Sequence, residues 1–166
     1  MKNLSFLAAF LLVALSASAQ PLSDTIPVYK RFPELPQFTI MRLPDSTRFT
    51  REDLPRKKPS IIMLFSPDCE HCKHAMHDLL AKYDEWKNAE LVLVSSLDFE
   101  HIRKFYDEYQ LSKYPNIVIG RDGSFYLGSF YKIRSYPSLY VYDKKQKLVT
   151  EFLGKINPDD LLKVLN

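Results

Sequence analysis

Cysteine is nearly absent from this chain. Its 166 residues hold two, Cys69 and Cys72, with only Glu70 and His71 between them. Disulfides that staple a secreted fold join cysteines spread along the sequence, and a bridge within this pair would close a loop too short to restrict the unfolded chain. The pair therefore needs a reason other than stapling. Glycine is scarce too, at four residues beside eleven prolines, and no repeat or low-complexity tract interrupts the chain, which excludes fibrous and array architectures. Net charge is only +3, with Lys and Arg scattered among acids, so no basic footprint for a nucleic acid exists. What remains, 46% hydrophobic, 13% aromatic and 26% charged, fits one globular domain.

The N-terminus carries Lys2, an apolar run from Phe6 to Leu15, and then Ala17-Ser18-Ala19. That order reads as a secretory signal peptide over residues 1–19, cut before Gln20. A membrane span needs about 20 apolar residues, roughly twice this run. No cysteine stands close behind the run, so no lipid anchor at a new N-terminal cysteine is expected. The mature chain is expected in a periplasmic or extracellular compartment.

Residues 20–34 are rich in proline and polar side chains and read as an exposed leader, with little order before Arg31, ahead of a domain over 35–166. Phe38–Met41 and Ser46–Phe49, flanking Leu43-Pro44-Asp45, form a predicted hairpin. Ser60–Phe65, an unbroken apolar run between prolines, is a strand buried on both faces. Met76, Leu79, Leu80, Tyr83 and Trp86 recur at helical spacing, predicting one helix from Cys69 to about Asn88. Leu91–Val94 is a second buried strand, and Asp98 caps a helix carrying Phe99, Ile102, Phe105, Tyr106 and Tyr109 on one face. Asn116–Ile119 reads as a short extended piece and Ser124–Tyr131 as a short helix. Ser138–Tyr142 and Leu148–Phe152 form a second hairpin, and Asn157-Pro158-Asp159-Asp160 opens a final helix. The class is α/β: a central mixed sheet with helices on both faces and an N-terminal hairpin extension.

At roughly 100° per residue, Cys72 falls in the middle of the apolar arc of Met76, Leu79 and Tyr83, while Cys69 sits at its edge on the first turn. Cys69 is expected to be exposed and Cys72 shielded. That asymmetry suits thiol–disulfide exchange, in which one thiolate attacks and a second thiol resolves the mixed disulfide. A helix N-terminus favours the thiolate of the first sulfur. Protonated His71 would stabilise that thiolate and Glu70 would oppose it, so these two residues tune the redox poise. His74 and Asp78 fall opposite the sulfurs, and the cysteines and histidines do not converge on one ion. No metal site and no cofactor are expected.

These pieces resemble the thioredoxin fold, and in particular the exported TlpA/ResA-like branch of thiol–disulfide oxidoreductases. The resemblance rests on residues 35–40, Asp45–Leu54, the strand leading into C-x-x-C, and the run Tyr136-Pro137-Ser138-Leu139 before a late strand. It implies that Cys69 attacks, that Cys72 resolves, that Pro137 is cis and faces the cysteines, and that Tyr136 offers backbone groups to a docked substrate. It also implies protein thiols or disulfides as substrates, most often with the oxidoreductase as reductant, fed by a membrane electron donor. The chain departs from the common pattern at several positions. Asp68 replaces the tryptophan before the first cysteine, Met63 stands where thioredoxin has a buried acid, and Ala75 stands where the TlpA/ResA-like branch has a glutamate. That leaves Glu70, His71 or water to take the proton of Cys72. Oxidase or isomerase chemistry is the alternative in the same class. Copper binding or delivery is the rival in another, but related copper chaperones resemble C-x-x-x-C with a late histidine, and no histidine follows His101. Peroxidase activity of the peroxiredoxin type would match Ser66, three residues before Cys69, but has Ile62 where proline is expected.

Overall fold

The structure, a computed structural model, describes residues 26–165; the expected signal peptide lies outside the described residues. Seven strands form one mixed sheet: β1 (Thr39–Arg42), β2 (Arg48–Thr50), β3 (Ser60–Leu64), β4 (Glu90–Ser95), β5 (Ile117–Arg121), β6 (Ser138–Tyr142) and β7 (Leu148–Leu153). Their spatial order is β2-β1-β5-β4-β3-β6-β7. The central β3, β4 and β5 are parallel, and β6, β7, β1 and β2 join antiparallel. Helices are α1 (Val28–Arg31), α2 (Glu70–Ala81), α3 (Tyr83–Trp86), α4 (Phe99–Glu108), α5 (Tyr126–Tyr131) and α6 (Pro158–Leu165). This is the thioredoxin-like α/β fold expected from the sequence.

The alternation of side chains along the strands divides the core. Ile61, Met63 and Phe65 face one cluster with α2, α4 and α6, whereas Ile62 and Leu64 face a second with α1, α5 and the N-terminal hairpin. All residues of β3, β4 and β6 are buried, the condition under which strands read as unbroken apolar runs. The hairpin docks through Met41 and Arg42 of β1 against Arg121 and Gly120 of β5. A Cβ on Gly120 would stand 2.8 Å from the Met41 carbonyl oxygen, so only glycine permits this approach.

Two expectations need correction. The first concerns the leader, whose described part, residues 26–34, is mostly exposed as expected but carries an ordered, partly buried turn. Pro27 begins the short helix α1, which buries Tyr29 edge-on against Tyr131 and Tyr140, with its hydroxyl donating to Glu151 at 2.6 Å. Leu35 is fully buried, and Leu35 N–H donates to Gln146 O while Leu148 N–H donates to Pro33 O, so this segment seals the start of the edge strand β7. An edge strand needs such a cover. The ordered unit therefore begins ahead of residue 35. The second is the helix expected from Cys69 to Asn88, which is two helices broken at Lys82. Trp86 is buried, and its indole N–H donates to Leu79 O at 2.8 Å, taking a carbonyl that the continuous helix would have used. Its burial wins over regularity.

Candidate active site

The cysteines open α2 just past the C-terminal end of the central strand β3. Cys69 is the N-cap residue, with extended backbone (φ −86°, ψ 117°) and no capping hydrogen bond from its side chain. Its carbonyl accepts from Cys72 N–H at 2.9 Å and Lys73 N–H at 3.1 Å, which starts the helix. The two sulfurs meet different surroundings. Cys69 is partly exposed, while Cys72 has no accessible surface and lies in the core cluster with Met63, Phe65 and Ala75. Both carry free thiols. The helical-wheel expectation of one accessible and one shielded sulfur holds.

Burial pushes the Cys72 thiol well above its ordinary range, because the buried thiolate would lose its hydration. A backbone hydrogen bond from Ser66 pulls it down, and the neighbouring Cys69 pushes it up again. Glu70 is turned outward, its carboxylate 2.7 Å from Lys73 Nζ and held below the usual glutamate range by that contact. It is engaged away from Cys72. His71 is exposed and lines a groove with His74, Asp78, Lys155 and Ile156. Among the described residues, no three His, Cys, Asp or Glu side chains gather as a metal site.

From the far end of the chain, the segment before β6 comes to the same place. The Tyr136–Pro137 peptide is cis, and Cys69 Sγ donates to Tyr136 O at 3.8 Å. Pro137 O accepts from Gly154 N–H at 2.8 Å, tying the segment to the end of β7. The Tyr136 ring packs against both core clusters. Burial raises its phenol, a hydrogen bond with Ser96 partly offsets the rise, and Cys72 adds to it. Tyr136 therefore addresses one cysteine with its main chain and lies within electrostatic reach of the other with its side chain. Ser96 was not singled out from the sequence, and only its place at the end of the parallel strand β4 could have suggested it.

Comparison with known proteins agrees with this geometry. No curated protein matches the chain. Among solved structures, it is similar to a secreted disulfide oxidoreductase of Mycobacterium tuberculosis described as homologous to E. coli DsbE, at TM-score 0.65 and 19% identity, covering 78% of this chain and 94% of that one. It is also similar to a thio-disulfide isomerase of Thermus thermophilus, at TM-score 0.62 and 24% identity, covering 80% and 92%. An exposed lipoprotein thioredoxin of Streptococcus pneumoniae aligns at TM-score 0.60 and 24% identity, covering 78% and 98%. At these identities the likeness shows the fold. The family model named AhpC/TSA family matches residues 33–151, a span that takes in both cysteines, the Tyr136–Pro137 segment and most of the sheet, and the chain belongs to the AhpC/TSA family.

Proposed function

We propose that this protein is an exported thiol–disulfide oxidoreductase of the TlpA/ResA-like kind, acting as a reductant of protein disulfides in a periplasmic or extracellular compartment. In this reading residues 1–19 are a cleaved signal peptide and a membrane electron donor restores the dithiol. The observation that carries the proposal is the contrast between the sulfurs: Cys69 is accessible beside Tyr136 O, and Cys72 is buried one turn behind it.

Cys69 as thiolate attacks one sulfur of the substrate disulfide. That S–S bond breaks, the other substrate sulfur leaves as thiolate, and a mixed disulfide forms. Cys72 then gives up its proton and attacks Cys69 Sγ, releasing the second substrate thiolate. The substrate is reduced by two electrons and the protein ends with a Cys69–Cys72 disulfide. Tyr136 and Pro137 form the ledge that holds the substrate backbone, while Glu70 and His71 adjust the poise from the solvent side. With Glu70 paired to Lys73, His71 or water is left to accept the Cys72 proton.

The reduction potential of the pair tests the direction. A value near about −270 mV, as in thioredoxin, supports a reductant, and one near about −120 mV, as in DsbA, replaces that reading with an oxidase. The family match and Ser66 favour a second reading, peroxidase chemistry at Cys69. Against it, Ile62 is wholly buried in β3 where that chemistry expects proline. Rapid oxidation of Cys69 by hydrogen peroxide, with slow exchange toward disulfides, would favour the peroxidase.

A further inference from the structure

We propose that Phe125 is a specificity-determining residue, receiving an apolar side chain of the substrate polypeptide near its reacting cysteine; the inference rests on the thiol–disulfide reading above. Strands β3, β4 and β5 are parallel, so the loop after β5 emerges at the same end of the sheet as Cys69. That loop is firmly built. The Asp122 carboxylate accepts from Ser124 Oγ at 2.9 Å and from Leu127 N–H at 2.8 Å, and Phe125 N–H donates to Asp122 O at 3.1 Å.

Phe125 is held there in the left-handed region (φ 55°, ψ 29°). This conformation suits glycine and is unfavourable for a bulky side chain. The residue is nevertheless 42% exposed, so a large part of its apolar surface is left out of the core. It rests on Gly128, where a Cβ would overlap three ring atoms. A strained, exposed aromatic on a glycine seat is a feature that stability alone would remove.

Its position supplies the reason. Phe125 shares the walls of one small cavity with Leu64, Ser96, Ile133 and Tyr136, and the Tyr136 carbonyl touches Cys69 Sγ. The ring thus continues the ledge on its Tyr136 side with apolar surface. On the Pro137 side, Gly154 leads into Lys155, which lines the polar groove with His71 and His74. The two flanks differ chemically, and an extended substrate crossing the ledge meets an apolar wall on one of them only. Neighbouring Tyr126 is equally exposed but lines a separate hollow with Gln37, Thr39 and Arg48.

The test uses single-turnover exchange between the reduced protein and two disulfide peptides that differ only in a leucine or a serine beside the cysteine, with bis(2-hydroxyethyl) disulfide as a third substrate. Wild type is expected to prefer the leucine peptide by about tenfold, the scale of one apolar contact. Phe125→Gly, which suits the backbone, brings that ratio to near one; Phe125→Leu keeps most of it, and Tyr126→Ala keeps all of it. No preference in wild type, or a preference that survives Phe125→Gly, overturns the inference and leaves the oxidoreductase reading standing. A wild type unreactive toward all three disulfides overturns the oxidoreductase reading and the inference with it.

Discussion

Cys69 Sγ lies 3.8 Å from the main-chain oxygen of Tyr136, a residue 67 positions later in the chain. The contact closes the site between the start of α2 and the start of β6, two elements joined through β3, which pairs antiparallel with β6 from Leu64–Ser138 to Ser60–Tyr142. A sulfur in that place is reachable from solvent along the ledge. The sulfur of Cys72, one turn further on and wholly buried, is not.

Alkylation should read this difference directly. With the reduced protein at pH 7, iodoacetamide is expected to label Cys69 first, and Cys69→Ser should react at least about tenfold more slowly than Cys72→Ser, since only thiolate is nucleophilic and burial raises the Cys72 thiol. Peptide mapping by mass spectrometry checks it. Equal labelling of both cysteines in the folded protein would contradict the assignment of roles.

The segment before residue 35 should contribute to stability. Leu35→Ala removes a fully buried side chain beside the β7 edge and is expected to cost about 3 kcal/mol, within the range for such truncations. Tyr29→Phe deletes the 2.6 Å hydrogen bond to Glu151 while leaving Glu151 paired with Lys30 at 2.6 Å, and should cost only about 1 kcal/mol. Urea unfolding measures both. Two near-zero values would return this segment to the status of a loose leader.

Glu90 makes stability depend on pH. It begins β4 in a buried position, and desolvation raises its carboxyl above the ordinary value of 4.5, with Lys58 offsetting part of the rise. Below pH 4.5 it is neutral folded and unfolded, so no penalty arises. As pH climbs from 4.5 through the raised folded value, the unfolded chain ionises first and stability falls; above the folded value the penalty is complete. Glu90→Gln should therefore be more stable than wild type at pH 7 and nearly equal to it at pH 4. Urea midpoints at the two pH values decide the matter, and a stabilisation of the same size at both would exclude the ionisation mechanism.

What could be read from the sequence, and what could not, follows the range of the forces involved. The β3–α2–β4 unit and the burial of Cys72 were legible because they depend on apolar periodicity within about twenty residues, and β6 and β7 because their alternation is local. The packing of Tyr29 and Leu35 depends on Tyr131, Tyr140, Gln146 and Glu151, more than a hundred positions away, and leaves only proline and polar residues on view nearby. The break at Lys82 depends on where one indole N–H finds a carbonyl, which a helical wheel does not register. The site divided in the same way: Cys69, Cys72 and the Tyr136–Pro137 segment carry motif-level signals, whereas Ser96 and Phe125 acquire their places only when parallel strands bring their ends together.

The pair of buried hydroxyls in the second core cluster offers the sharpest test of how this fold is held. Tyr131 of α5 stacks on Tyr140 of β6, with ring centroids 3.7 Å apart and planes 13° from parallel, and its hydroxyl lies 2.7 Å from that of Tyr142. Burial pushes the Tyr142 phenol up to about 12 and that of Tyr131 well above the ordinary value, so both are neutral at physiological pH. Among the described residues, no fully buried side-chain nitrogen or oxygen lacks a hydrogen-bond partner. Tyr131→Phe would create one by stranding the Tyr142 hydroxyl, at an expected cost of about 1–3 kcal/mol. Replacing both tyrosines by phenylalanine removes donor and acceptor together, and that double variant should be more stable than the sum of the two single changes predicts, by about 1 kcal/mol or more. Denaturation of the four proteins in the cycle supplies the coupling. Strict additivity would mean that the two hydroxyls do not depend on each other, and that α5 is held to the sheet without help from their hydrogen bond.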